Sequence, residues 1–176
     1  TFLGGPARDE ARSVALDLAG NAYVAGLAYS SSFPVTSNAF QGALGGDVDA
    51  FVTKLSPTGT ALLYSTFFGG RLGEEGYGVA VRPSGEAVLV GYARGELPVS
   101  PDAVQRTARG ARDAFVAILD PSGGRLQHCS YLGGSGEDWA YSVALDMLGT
   151  IYLAGRTASP NFPSASAVQA YSAPST

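Results

Sequence analysis

Short apolar runs separated by glycine- and proline-containing turns recur along the whole chain. Runs such as AYVAGL, AFVTKL and ALLYSTFF are apolar at nearly every position. Runs of this length bounded by turn residues indicate β-strands, and the absence of a polar alternation indicates sheets that are covered on both faces. The pattern predicts strands near residues 12–18, 21–27, 49–56, 61–68, 77–82, 86–92, 113–120, 125–132, 141–146 and 150–156, with no long helix.

These strands belong to a unit that occurs three times. TFLGGPARDEARSVALDLAGNAYVAGL begins at Thr1, TFFGGRLGEEGYGVAVRPSGEAVLVGY at Thr66 and SYLGGSGEDWAYSVALDMLGTIYLAGR at Ser130. The second half of the unit, DAFVTKLSPTG from Asp49, returns as DAFVAILDPSG from Asp113. Self-similarity at a fixed long period is the mark of a repeat architecture.

The turn residues recur with the strands. Gly20, Gly85 and Gly149 occupy one repeat position, where a hairpin needs a residue with positive φ. The PTG and PSG sequences after the third strand predict a type I turn followed by a glycine in the left-handed region. A connection of about 20 residues follows the second strand and carries FPVTSNAFQ, LPVSPDAVQ or FPSASAVQ. Its polar residues after the proline can start one helical turn.

Four-stranded units that are apolar on both faces and lack helices must cover one another, which is the arrangement of a β-propeller. A linear β-solenoid is the alternative, but its coils are shorter and lack hairpins. We therefore predict an all-β fold of four-stranded antiparallel propeller blades. The chain 1–176 is interpreted as a single propeller fragment with units 1–65, 66–129 and 130–176. The last unit is incomplete because no DAFV strand follows, so about two and a half to three blades of a larger or oligomeric propeller are expected.

The combination of YLGGSGEDWAYSVALD, the glycine hairpin, FP in the long connection and DAFVTKLSPTG resembles the bacterial SBBP β-propeller repeat family. The resemblance covers essentially the whole chain. It implies a propeller in a secreted or cell-surface bacterial protein that serves as an interaction or spacer module, and it brings no shared catalytic residues. Arg82 departs from the pattern, since the other units have Asp17 and Asp146 there.

The composition limits the classes of molecule that the chain is expected to bind. The net charge is −4 with only 15% charged residues, so no basic surface is predicted for nucleic acid. No apolar run is long enough to cross a bilayer, and membrane insertion is not expected. A single cysteine, Cys129, excludes an internal disulfide. His128 is the only histidine and is interpreted, like Cys129, as an ordinary strand residue.

One set of acids is a candidate site. Asp9, Glu74 and Asp138 share one repeat position, which we predict to lie in the loop that enters the first strand of each blade. Three carboxylates at one rim can bind a ligand such as a cation, with Ca²⁺ as the cofactor to consider, or can serve a polysaccharide hydrolase. The structural alternative, in which each acid accepts bonds from backbone amides of its own turn, is favoured by the repetition itself.

Other candidates are weaker or differ between units. Asp49 and Asp113 are expected to cap loop amides, and Asp47 with Asp49 only superficially resembles a calcium loop. Trp139 stands where the other units have Glu10 and Glu75, so it can stack on a sugar or pack against the neighbouring blade.

These observations favour a non-enzymatic extracellular module that needs no cofactor and binds a protein or a polysaccharide. The alternatives are a carbohydrate-active enzyme that uses the rim carboxylates and a self-assembling structural subunit. Self-association or continuation in a longer chain is expected, because an open stack of blades leaves apolar faces and strand edges uncovered.

Overall fold

The computed structural model describes residues 1–165 and 167–169, and in these residues the protein is all-β with no helix. The ten predicted strands are all present. They form two four-stranded antiparallel sheets, each built from four consecutive strands in chain order, and a two-stranded sheet built from the last two strands. Residues 170–176, where the third unit was predicted to stop without its DAFV strand, lie outside the described residues. The strands are β1 (Asp9–Leu16), β2 (Ala22–Ala28), β3 (Asp49–Leu55), β4 (Leu62–Phe68), β5 (Glu74–Val81), β6 (Ala87–Ala93), β7 (Asp113–Leu119), β8 (Leu126–Leu132), β9 (Asp138–Leu145) and β10 (Ile151–Thr157).

The turns are those that the sequence predicts. Gly20, Gly85 and Gly149 have φ values of 78°, 95° and 81° and close the first hairpin of each sheet. Gly59 and Gly123, after the two Pro-x-Gly turns, have φ values of 69° and 70°. Local sequence therefore determines where each hairpin turns.

The first strand of each sheet begins three residues earlier than predicted, because a β-bulge extends its pairing. In the first sheet Ala11 pairs with Gly26 and Ser13 with Ala25, which leaves Arg12 as the extra residue. The same shift leaves Tyr77 unpaired in the second sheet and Tyr141 in the third. The bulge keeps the preceding residues in the ladder.

A glycine opposite each bulge makes the bulge possible. A Cβ added to Gly26 would lie 1.7 Å from the carbonyl oxygen of Glu10. Cβ atoms at Gly91 and Gly155 would lie 1.9 Å from the equivalent carbonyls of Glu75 and Trp139. No other residue fits these positions without movement of the backbone.

The second sheet packs between the other two, and the apolar residues of the strands fill both joints. The main core lies between the first two sheets and includes Tyr23, Phe68, Leu89 and Phe115, which are essentially inaccessible to solvent. A smaller cluster around Val90 and Ala140 joins the second sheet to the third. The first strands are neighbours, since β5 contacts both β1 and β9. This is the arrangement of successive propeller blades.

The long connection covers the outer face of the first sheet. Phe33, of the FP sequence, is buried with its ring centroid 4.5 Å from that of Phe51 and 5.8 Å from that of Phe67. The predicted helical turn is wrong: the segment forms a hydrogen-bonded turn in which Ala39 donates its N–H to the carbonyl of Thr36. In the next unit Ala103 donates to Ser100 in the same way.

Candidate functional site

The three acids of the predicted rim are the first residues of β1, β5 and β9, and they are not in the preceding loop as the sequence suggested. The bulge described above brings them into the ladder, where Asp9 pairs with Ala28 and Glu74 with Ala93. They occupy equivalent positions at the same end of the first strand in each sheet. Glu74 and Asp138 have no exposed surface.

Asp9 accepts four hydrogen bonds from its surroundings. Its Oδ1 accepts from the N–H groups of Tyr29 and Ser30, both at 3.1 Å. Its Oδ2 accepts from the N–H of Gly5 and from the hydroxyl of Ser30, both at 2.7 Å. The carboxylate therefore joins the Gly-Gly segment before β1 to the end of β2, which is the structural role that the repetition favours.

Asp138 repeats part of this pattern. Its Oδ2 accepts from the N–H of Gly134 at 2.8 Å and from the hydroxyl of Ser159 at 2.6 Å, while Oδ1 has no partner among the described residues. Its ligand-binding role and that of Asp9 stay predictions.

Glu74 differs because its unit lacks the serine. Gly95 stands at the position of Ser30 and Ser159, and the side chain of Leu72 lies 3.0 Å from the place that a Cβ on Gly95 would take. Its Oε2 accepts from the N–H of Gly70 at 2.6 Å, and its Oε1 is buried without a partner among the described residues.

The acids also differ in pKa. Burial raises the pKa of Glu74 to about 7, and the charge of Asp49 adds to the effect. Burial acts in the same direction on Asp9, but the bonds from Gly5, Ser30 and Tyr29 outweigh it and lower the pKa of that carboxyl. One repeat position therefore holds an ordinary carboxylate in one blade and a carboxyl that titrates near neutrality in the next.

Asp49 and Asp113, at the second repeated acid position, accept hydrogen bonds from the loop that precedes their strand. Asp49 accepts from the N–H groups of Gly45 and Gly46 and from the side-chain amide of Gln41. Asp113 accepts from Arg109, Gly110 and Gln105 in the same arrangement. Both are capping residues, as predicted.

A glycine separates the two acids at each joint. A Cβ on Gly69 would lie 2.5 Å from Oε2 of Glu74 and 2.9 Å from Oδ1 of Asp49. Gly133 has the same relation to Asp138 and Asp113. The first glycine of the Gly-Gly sequence is therefore required at these two joints by the carboxylates on either side of it.

Trp139 packs against the neighbouring blade. Its ring makes an edge contact with Tyr92 of the second sheet, with centroids 6.1 Å apart. The guanidinium of Arg156 lies over the Trp139 ring at 4.7 Å, and that of Arg112 is 5.9 Å from its centroid. The indole also lines an apolar cleft of about 230 Å³ beside β10. Because Arg156 covers the ring, stacking of a sugar on it requires that arginine to move.

A second cluster, which sequence reasoning missed, joins the first two sheets at their bulges. Arg12 bonds Oε2 of Glu75 at 2.7 Å, and its guanidinium lies 4.2 Å from the ring centroid of Tyr77. The hydroxyl of Tyr92 donates to Oε1 of Glu75 at 2.6 Å. Burial acts to raise the pKa of Glu75, but the bonds from Tyr92 and Arg12 outweigh it and lower the pKa. The ring of Tyr141 lies edge-on to Tyr77, with centroids 5.3 Å apart.

The signal for this cluster was present in the sequence. Arg12, Tyr77 and Tyr141 share one repeat position, and a position that faces its own equivalents in neighbouring blades must change from blade to blade to make complementary contacts. The bulge that aligns them is not visible in the hydrophobic pattern.

The remaining candidates have ordinary surroundings. Cys129 is buried, which raises the pKa of its thiol to about 12 and keeps it unreactive. His128 lies 3.3 Å from a carboxylate oxygen of Asp102 at the surface. Asp47 is exposed, while Asp49 is buried. In residues 1–165 and 167–169, no three His, Cys, Asp or Glu side chains are grouped so that they could hold a metal, and no helix has the length and hydrophobicity to span a bilayer.

Comparison with known families supports the architecture. The model of the SBBP family, described as a beta-propeller repeat, matches residues 1–34. The first repeat is an SBBP propeller repeat. The match includes β1, β2 and the Phe33-Pro34 sequence, and the sequence of this unit returns twice along the chain. No curated protein matches the sequence.

Proposed function

We propose that this chain is a non-enzymatic interaction module of a secreted or cell-surface bacterial protein, and that it binds a protein or a polysaccharide. One observation supports this role above all. The repeated polar side chains, such as Asp9 and Asp49, are occupied in bonds within their blades. The side chains that differ between units, such as Trp139 and Arg12, gather at the blade joints. Tyrosine, tryptophan and arginine are the residues most enriched in binding surfaces.

The surroundings of the acids favour binding over hydrolysis. A glycosidase needs a general acid and a second carboxylate, both in reach of one glycosidic bond. Glu74 has the raised pKa of a general acid, but it is fully buried beneath Gly70 and bonded to the N–H of that residue. Extracellular localisation is supported by the SBBP resemblance alone.

A self-assembling subunit is a second candidate function. It is favoured by apolar side chains that are exposed on the first and third sheets, among them Leu16, 66% exposed, and Tyr152, 56% exposed.

The proposed function can be tested by binding and turnover together. The immobilised chain is exposed to a panel of bacterial envelope proteins and polysaccharides, and reducing-sugar release is measured for each polysaccharide. We expect saturable binding without sugar release. Binding should weaken at least fivefold in one of two variants that carry residues found in the other units, Trp139→Glu and Arg94→Ala. The exposed Arg125→Ala variant serves as the control and should bind normally. Sugar release that Glu74→Gln abolishes would instead establish the enzyme.

A further inference from the structure

One large groove lies at the joint between the first two sheets. Its volume is about 1150 Å³, and it is formed by residues 69–72, 94–99 and 106–108 together with Phe40, Gln41 and Tyr131. Leu97, Val99 and Phe40 give it an apolar lining. Three arginines also line it: Arg71, Arg94 and Arg106.

The loop beside this groove is one residue shorter than in the other units. Four residues, Tyr29 to Ser32, separate β2 from Phe33, whereas three residues, Arg94 to Glu96, separate β6 from Leu97. In the third unit Asn161 stands at the position of Ser32. Its side chain lies beside Gly134 and accepts a hydrogen bond from the N–H of Ser135 at 2.8 Å.

The first unit has a side chain in the same place. The hydroxyl oxygen of Ser32 lies 2.9 Å from the position that a Cβ on Gly5 would take. In the second unit the backbone carbonyl of Glu96 takes the place of this side chain beside Gly70, and the side chain of Leu72 lies 3.0 Å from the place of a Cβ on Gly95. The shorter loop is specific to this unit and is not required by the fold.

The three arginines are equally specific to this unit. The residues at their positions in the first unit are Pro6, Tyr29 and Gly42, so none of the three is part of the repeated framework. All three are exposed, and none forms an ion pair with an acid of the described residues. On a chain with a net charge of −4 they concentrate positive charge at one concave surface, where Glu96 is the one acidic residue of the lining.

The lining indicates what the groove can bind. Unpaired guanidinium groups recognise carboxylates, with bidentate geometry available to each. The apolar lining adds a preference for aliphatic or aromatic side chains. Tyr131 is only 3% exposed, with its hydroxyl bonded to Gly95 and Leu97, so it presents no ring face on which a sugar could stack. The volume also exceeds the usual size of a small-metabolite site.

We propose that this groove binds an extended peptide segment of a partner protein in which carboxylate side chains stand next to apolar ones. The proposal rests on the proposed function as an interaction module and names its site and the chemistry of its partner. The arginines bind the carboxylates, and the surface formed by Phe40, Leu97 and Val99 accepts the apolar side chains.

The test uses the full chain and a phage-displayed library of random 12-residue peptides. We expect enriched peptides to combine aspartate or glutamate with leucine, isoleucine or phenylalanine. A synthetic copy of the most enriched peptide should bind in fluorescence anisotropy, more weakly as salt increases. Its Kd should rise at least tenfold for the triple variant Arg71→Ser, Arg94→Ala, Arg106→Ser. Arg125→Ala, which removes an exposed arginine outside the groove, should change the Kd less than twofold.

Each other outcome overturns the site. A lack of enrichment, enriched peptides without excess acid, or a triple variant that binds normally would do so. Binding of polygalacturonate that the triple variant loses, without peptide binding, would assign the groove to an anionic polysaccharide. Peptide binding that is lost in Trp139→Glu and unchanged in the triple variant would place the interaction elsewhere and leave the proposed function intact. Thermal unfolding of every variant separates loss of binding from loss of folding.

Discussion

At the scale of single residues, the repeated acid position shows how one substitution changes the chemistry of its neighbour. In the first and third units the hydroxyls of Ser30 and Ser159 donate hydrogen bonds to an aspartate. In the second unit Gly95 stands at the serine position and has no hydroxyl, and the acid is a glutamate. The carboxyl of Glu74 accepts from Gly70 as the aspartates accept from Gly5 and Gly134, and it is fully buried like Asp138, but it lacks the hydroxyl donor that both aspartates have. Its pKa therefore rises to about 7, while that of Asp9 falls.

The titration of Glu74 gives a test with a definite sign. Its pKa in the folded protein, about 7, lies above the ordinary 4.5, so the folded state binds the proton more tightly than the unfolded state. The contribution of Glu74 to stability is complete below pH 4.5 and declines as the pH rises towards 7, by roughly 3 kcal/mol in total. Urea unfolding at pH 5 and pH 8 should show that Glu74→Gln is more stable relative to wild type at pH 8 than at pH 5.

Asp9→Asn is the matched control for this experiment. The pKa of Asp9 is lowered from 3.8, so this carboxyl is ionised at both pH values in both states, and the effect of the substitution should be the same at each. If the difference between Glu74→Gln and wild type were also equal at pH 5 and pH 8, the raised pKa of Glu74 would be wrong.

The repeated acid position could be predicted from the sequence only in part. Repetition alone located the acid position and favoured bonds to local amides, because an environment that recurs in every blade produces a recurring residue. It could not show that Glu74 and Asp138 are fully buried while Asp9 is not, since burial depends on how the neighbouring blades pack. In the sequence Trp139 differs from the glutamates of the other units, but nothing there shows what it contacts. Its contacts with Arg156 and Tyr92 depend on how two blades pack.

At the scale of elements, glycines with two different roles explain why turns were predicted correctly and strand starts were not. Gly20 has a positive φ and follows a polar turn sequence, so its role is visible in the local sequence. Gly26 lies inside an apolar run, where a glycine only appears to weaken the strand. Its role, to allow the bulge at Arg12, depends on the strand that pairs with it.

Replacement of the bulge glycine tests this explanation. In Gly26→Ala the new methyl would lie 1.7 Å from the carbonyl oxygen of Glu10, so the two strands must separate or the bulge must be lost. We expect the free energy of unfolding to fall by about 3 kcal/mol or more, measured by urea denaturation. Gly42→Ala is the control, because no atom lies within 4 Å of its added Cβ, and it should change stability by less than about 0.5 kcal/mol. Equal effects of the two substitutions would contradict the requirement for glycine opposite the bulge.

At the scale of the whole molecule, the three sheets stack in order, which leaves one outer face on the first sheet and one on the third. Faces of these same two kinds pack against each other at both joints between the sheets. Val79 and Val143 share a repeat position with Val14 and pack against the preceding sheet, whereas no sheet among the described residues precedes that of Val14, which is 64% exposed. Tyr23 and Val88 share a position with Tyr152 and are fully buried, whereas Tyr152 is 56% exposed. The described residues provide no cover for either face.

Because these faces are complementary by repetition, we predict that the chain associates head to tail, with the third sheet of one copy packed on the first sheet of the next. Light scattering should give a mass above 18.0 kDa that rises with concentration. Tyr152→Asp and Val14→Asp should each reduce the mass to that of a monomer, because each places a charge at the centre of the new joint. Val104→Asp changes an even more exposed apolar residue, 87% exposed, on the long connection of the second unit and should leave the mass unchanged. Two copies joined in this way would align six sheets, enough for a closed propeller of ordinary size. A monodisperse wild-type monomer at all concentrations would show that the two faces do not join.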